Sequence, residues 1–262
     1  MAGPRPLQVT ISGGGAGTPV VMVHGFLGSG DDWSELTGAL AGTRRCLRVE
    51  LPGHGSAAAT SGVTFDGAVA SLQRVIESQP GAVDLIGYSM GGRIALGAAL
   101  ANPGRIRRLV IISATPGLES GGEQAARARA DDALAEQMEQ GGLARFLTTW
   151  YDQPLFASLR TRAALRRELQ QRRGRGNAAA LAAALRGLTV GRQPSLWPRL
   201  AALPMPVLMV AGQLDGKYAA LLGRAAGLCP RGRLLMVPGA GHMPHLEHPD
   251  FLTAQVRAFL DD

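Results

Sequence analysis

The chain has 262 residues, 46% of them apolar, and a formal net charge of +7. That length buries one large core, while the sequence has no run of eighteen apolar residues to span a membrane and no apolar signal-peptide core between Met1 and Pro6. Only Cys46 and Cys229 are present, too few for a disulfide scaffold, so a cytoplasmic protein is expected. The positive charge is almost all arginine, with Lys217 the one lysine. It is scattered among acids without aromatic platforms, which argues against a nucleic-acid module; the arginine excess fits either a compositional bias or the binding of an anionic small substrate.

In chain order, residues 7–12 read as an edge strand and 19–23 as a buried strand ending in His24-Gly25-Phe26-Leu27-Gly28-Ser29, a glycine-bearing loop. Ligands of open α/β sheets sit at that edge. His24 reads as loop-shaping, and the Phe26 N–H as a free donor. Asp31 or Asp32 can cap a helix over 33–40. A strand over 45–50 is closed by Leu51-Pro52-Gly53-His54-Gly55-Ser56, in which His54 reads as a structural hydrogen-bonding residue. A helix over 65–78 leads to a strand over 83–86, the turn Gly87-Tyr88-Ser89-Met90-Gly91-Gly92, and a helix over 92–100. Glycines at 87 and 91 make room for a serine held on a strained strand-to-helix turn.

A strand over 106–113 follows, and Arg107 and Arg108 beside it read as solvated or interdomain charges. From 116 to 198 the pattern turns helical, with candidates over 124–140, 143–150, 161–171 and 178–188 separated by Gly141-Gly142, an Asp152-Gln153-Pro154 turn and Gly174-Arg175-Gly176. This predicts a helical cap inserted between core parts 1–115 and 199–262. Strands return over 206–211 and 234–237, ahead of loops that carry Asp215 and His242, and a helix over 251–260 closes the chain.

Serine is a poor nucleophile or base until an imidazole takes its proton and an acid fixes the imidazole's tautomer. Ser89, Asp215 and His242 follow in that order, all on loops at one sheet edge. His245 and His248 are weaker alternatives to His242. A zinc site on His242, His245 and His248 lacks a fourth ligand even with Glu247 nearby, so neither metal nor cofactor is expected. The Met90 N–H pairs with that of Phe26 as an oxyanion hole.

These landmarks resemble the α/β-hydrolase superfamily along nearly the whole chain. The resemblance implies an α/β fold with a mostly parallel central sheet, flanking helices and an inserted helical cap. A closer resemblance is to the 2-succinyl-6-hydroxy-2,4-cyclohexadiene-1-carboxylate synthases of menaquinone biosynthesis. It rests on Gly87 to Arg93, on Pro116-Gly117-Leu118 with Arg127-Ala128-Arg129-Ala130-Asp131, on Trp150 to Leu159, and on Arg167-Glu168-Leu169 leading to Arg172-Arg173. It implies a lyase that removes a proton and eliminates pyruvate from 2-succinyl-5-enolpyruvyl-6-hydroxy-3-cyclohexene-1-carboxylate, with Ser89 as the base, activated by His242 and Asp215. It also implies substrate contacts from Tyr88, Arg93, Arg127, Trp150, Tyr151 and Arg173, with Arg129 and Arg172 as the alternatives to the two cap arginines. The other readings are a cofactor-free serine hydrolase of small esters, lactones or diketone carbon-carbon bonds, and a non-enzymatic scaffold. The partner expected is a small carboxylate-bearing substrate, with no nucleic acid and no membrane insertion, and the protein is expected to be a monomer or a weak homo-oligomer.

Overall fold

The computed structural model describes residues 6–55 and 62–262, so Met1 to Arg5 and Ser56, at the end of an expected loop, lie outside the described residues. Strands β1 (Gln8–Ser12), β2 (Gly17–Val23), β3 (Arg44–Glu50), β4 (Val83–Tyr88), β5 (Ile106–Ile112), β6 (Val207–Gly212) and β7 (Gly232–Val237) form one sheet, in the order β1-β3-β2-β4-β5-β6-β7. Only the β1–β3 pairing is antiparallel. Helices cover both faces of a parallel sheet, so its central strands bury every residue, as β4 and β6 do here.

Side-chain alternation splits the apolar residues into two cores. Val21 and Val23 of β2 pack with α2 (Phe65–Glu77) and α3 (Met90–Ala101). Val20 and Met22 pack on the opposite face with α1 (Ser34–Leu40) and the chain's last helix, Pro249–Asp261. Between β5 and β6 lie α4 (Gly121–Gly141), α5 (Leu143–Asp152), α6 (Ala163–Arg173) and α7 (Ala178–Gly187), with three-residue-per-turn segments among them. After β6 come α8 (Gly216–Leu228), α9 (Pro244–Glu247) and α10 (Pro249–Asp261).

Three local expectations change. The helix expected over 33–40 begins earlier, as a tight Gly30–Trp33 turn capped by the Ser29 hydroxyl, so neither Asp31 nor Asp32 is the cap. The Asp152–Pro154 turn runs into a further tight helix, Pro154–Thr161. Arg107 is not merely solvated: its Nε and Nη2 donate to the fully buried Asp84 at 2.8 and 2.5 Å.

Arg44 Nη1 meets the same carboxylate at 3.0 Å, and both arginines donate to the Leu260 carbonyl. One acid on β4 thereby joins β3, β5 and the end of α10. Removing one member of a buried charge cluster leaves its partners uncompensated, which typically costs 3–5 kcal/mol. Asp84→Ala is expected to lower unfolding free energy by about that amount in urea titration.

Candidate active site

Ser89 occupies the turn between β4 and α3 with φ 49° and ψ −110°. This left-handed conformation is rare outside glycine and is stored strain. Its N–H is fixed to the Ile112 carbonyl of β5 at 2.8 Å. The turn is possible because a Cβ on Gly91 would overlap the Val23 and His24 carbonyls, and one on Gly87 would lie 2.6 Å from the Gly91 carbonyl. Glycine at both positions lets α3 close on β2 and leaves the Ser89 side chain facing out.

His242 follows β7, and its Nδ1–H donates to Asp215 Oδ2 at 2.7 Å. Its Nε2 lies 3.3 Å from Ser89 Oγ. The second Asp215 oxygen accepts the Tyr218 N–H at 3.3 Å, so this acid also caps α8. Glu247 Oε2 and Oε1 accept the N–H groups of Gly241 and Met243, at 2.9 and 3.0 Å, and so brace the peptides on either side of His242. His245 and His248 do not take its place. The His245 ring lies 4.2 Å from the Tyr88 ring and 5.0 Å from the Trp33 ring, while His248 Nε2 meets Arg162 Nη2 at 2.5 Å.

Two further histidines tie the loops around the serine. His24 Nδ1 donates to the Gly25 carbonyl and its Nε2 accepts the Leu51 N–H at 3.1 Å. His54 Nε2 accepts the N–H of Leu27, itself at φ 65°, at 3.0 Å. Among the described residues the Phe26 and Met90 N–H groups donate to no protein acceptor, and both residues line the cavity beside Ser89. That cavity holds about 650 Å³, enclosed by the serine loops on one side and by α4, α5 and α6 on the other.

Serine after β4, acid after β6 and histidine after β7 meet at the carboxyl ends of the parallel strands. The chain belongs to the alpha/beta hydrolase family. The family's model matches residues 20–255. Within it, the chain is 36% identical to a Bacillus subtilis (strain 168) protein provisionally named 2-succinyl-6-hydroxy-2,4-cyclohexadiene-1-carboxylate synthase, over 96% of this chain and 93% of the relative. It is 35% identical to the synthase of that name from Escherichia coli O1:K1, over 92% and 93%. The solved structure of MenH from S. aureus superposes with a TM-score of 0.92 at 28% identity, covering 97% of each chain. The chain is a member of this synthase branch.

In this alpha/beta hydrolase the polar residues predicted from sequence occupy distinct places. Arg93 is buried in the cavity wall, with Nη1 on Gln193 Oε1 at 2.7 Å and Nη2 on the Leu188 carbonyl. Among the described residues no carboxylate pairs with it, and burial lowers its pKa to about 10, so it remains a cation. Arg127 reaches the cavity from α4 with Nε on Asp131 Oδ1 at 2.9 Å, and among the described residues its terminal nitrogens donate to no protein acceptor. Arg173 lines the cavity from α6 and pairs with buried Asp32 at 3.3 Å. Burial alone would raise the Asp32 carboxyl, but the Arg173 and Arg172 guanidinium groups hold it below the ordinary carboxylate range. Of the alternatives, Arg172 reaches Asp32 at 2.5 Å and does not line the cavity; Arg129 faces a separate surface groove.

The predicted aromatics divide likewise. Trp150 faces the cavity, stacked on Phe146 and edge-on to Phe26 at 5.3 Å. Tyr88 lines the cavity with its ring 5.6 Å from that of His242. Tyr151 is fully buried behind the wall, its hydroxyl receiving Arg173 Nη1 at 2.5 Å. That placement corrects the expected substrate contact of Tyr151: it orients an arginine and does not face the cavity. The sequence reading missed Tyr218 in the wall and Glu247 beneath His242. Neither belongs to a motif of fixed spacing, and Glu247 was weighed only as a zinc ligand.

Burial lowers the pKa of His54 and His245 to about 3 each. Unfolded histidine titrates near 6.5, so the unfolded chain binds more protons between about pH 3 and 6.5. The stability these neutral rings confer is complete above pH 6.5 and declines as pH falls through that window. His245→Phe, which keeps a ring between Trp33 and Tyr88, is expected to flatten the loss of stability between pH 6 and 4 by about 1.4 kcal/mol per pH unit, measured by urea titration at each pH.

Proposed function

We propose that this protein eliminates pyruvate from 2-succinyl-5-enolpyruvyl-6-hydroxy-3-cyclohexene-1-carboxylate to yield 2-succinyl-6-hydroxy-2,4-cyclohexadiene-1-carboxylate, as a cytoplasmic lyase of menaquinone biosynthesis. The observation that carries the reading is the meeting of Arg93 from the core with Arg127 and Arg173 from the cap in the cavity that holds Ser89. The substrate brings three carboxylates. A cavity for neutral esters has no need to hold an unpaired buried guanidinium such as Arg93.

The double bonds in the two names define the step. The ring proton at the carbon bearing the succinyl group is lost, the 3-ene shifts to a 2,4-diene, and the bond from ring carbon 5 to the enolpyruvyl oxygen breaks. That proton is acidic because the succinyl carbonyl delocalises the electrons it leaves behind. His242 Nε2 takes the Ser89 proton, and the serine oxygen then removes the ring proton. Asp215 stabilises the imidazolium and holds Nδ1–H in place. The Phe26 and Met90 N–H groups face the charge that develops on the carbonyl oxygen. The leaving enolpyruvate accepts a proton from His242 and relaxes to pyruvate. No bond forms between enzyme and substrate.

Ser89→Ala is expected to slow pyruvate release by several orders of magnitude while leaving the fold intact, assayed with freshly prepared substrate and corrected for spontaneous breakdown. Absence of serine-dependent pyruvate, with turnover of small esters or lactones instead, would favour the hydrolase reading. Arg127→Gln is expected to raise KM for elimination about 10–100-fold, the worth of charge-assisted hydrogen bonds to a carboxylate, with a smaller loss on a neutral ester. Parallel kinetics on the two substrates check this.

A further inference from the structure

We propose that Tyr218 is a substrate-positioning residue whose hydroxyl completes the seat of a carboxylate shared by Arg93 and Arg127. The inference deepens the lyase reading and rests on it for the identity of the anion. Tyr218 lies in the first turn of α8, three residues beyond Asp215, and its N–H is held by that carboxylate. Its ring centroid is 4.6 Å from that of His242, inclined by 57°, and the side chain lines the cavity.

The hydroxyl makes no hydrogen bond among the described residues, and Arg93 and Arg127 line the same cavity as Tyr218. A guanidinium is only a donor, so neither arginine can accept the phenolic proton. An acceptor anion lodged between them can. A carboxylate offers about four lone-pair sites: the open nitrogens of Arg127 take two, and an N–H of Arg93 and the Tyr218 O–H complete the set. The same residue thus touches the general base through its ring and the substrate through its hydroxyl.

The competing account is that Tyr218 only packs against His242. Tyr218→Phe separates the two, because it keeps the ring and removes the donor. Binding is read by calorimetry with two stable probes, pyruvate and 2-succinylbenzoate, which between them carry every type of carboxylate in the substrate. The expected result is a loss of about tenfold in affinity for one probe, matched by a rise of about tenfold in KM for elimination with little change in kcat. Unchanged affinity for both probes overturns the proposal, as does failure of the wild-type protein to bind either. A loss on a neutral ester as large as the loss on the natural substrate also overturns it, because packing alone then accounts for the effect. If the wild-type protein shows no serine-dependent elimination while the variant still loses anion affinity, the lyase reading falls and the carboxylate seat stands.

Discussion

The structure depends on holding one non-glycine residue in a backbone conformation it would not choose. Such a turn costs on the order of 1–3 kcal/mol, and the surrounding sheet must supply it. Ser113, which ends the neighbouring strand, also sits at positive φ, with its N–H on the Val210 carbonyl at 2.9 Å. Successive parallel strands therefore hand hydrogen bonds across their carboxyl ends, from Ser89 to β5 and from Ser113 to β6. The strain is fixed by the centre of the sheet and not by a loop. That is why Ser89 can meet a histidine delivered from the far side of the fold.

Around this fixed point the charges are arranged unequally. Arg173 is matched by Asp32 and Arg127 by Asp131, while Arg93 is met only by neutral carbonyls. The acid-matched arginines belong to helices of the cap, although Asp32 itself lies in the core, and each acid aims its guanidinium. Arg93 comes instead from the core, in the first turn of α3. Its unshared charge gives the cavity a standing preference for anions. Cap and core also meet below the cavity: Arg162, between the tight helix and α6, donates to the Glu247 carbonyl at 2.9 Å, and Glu247 braces the His242 loop. The position of the cap is thereby linked to the position of the His242 imidazole.

Much of this was legible in the residues. The strands of the parallel sheet announce themselves as continuous apolar runs, and the Ser89 turn by the glycines that a close helix–strand approach requires. Asp215 and His242 were found because each follows such a run directly. The order of the chain then put them at one edge. What could not be read was anything set by packing across long separations. Asp32 looked like a helix cap because acids near helix starts usually are; its partners lie about 140 residues away on α6. Tyr151 and Trp150 are adjacent in sequence, and helical rotation alone sends one into the cavity and the other behind Arg173. Arg107 looked solvated because nothing local to it reveals that Asp84 is buried beside it.

That last cluster has a bearing on how the protein can vary. Asp84 and Ser89 sit at opposite ends of the same strand, about 16 Å apart at 3.3 Å per residue. The charged knot that ties β3, β5 and α10 together is at the end remote from chemistry. Changes near Asp84 therefore act on how many molecules are folded in a cell, and changes near Ser89 act on what each folded molecule does. Natural variants at the two ends are separable by a single comparison of abundance against turnover, and a lineage could retune either quantity while leaving the other alone.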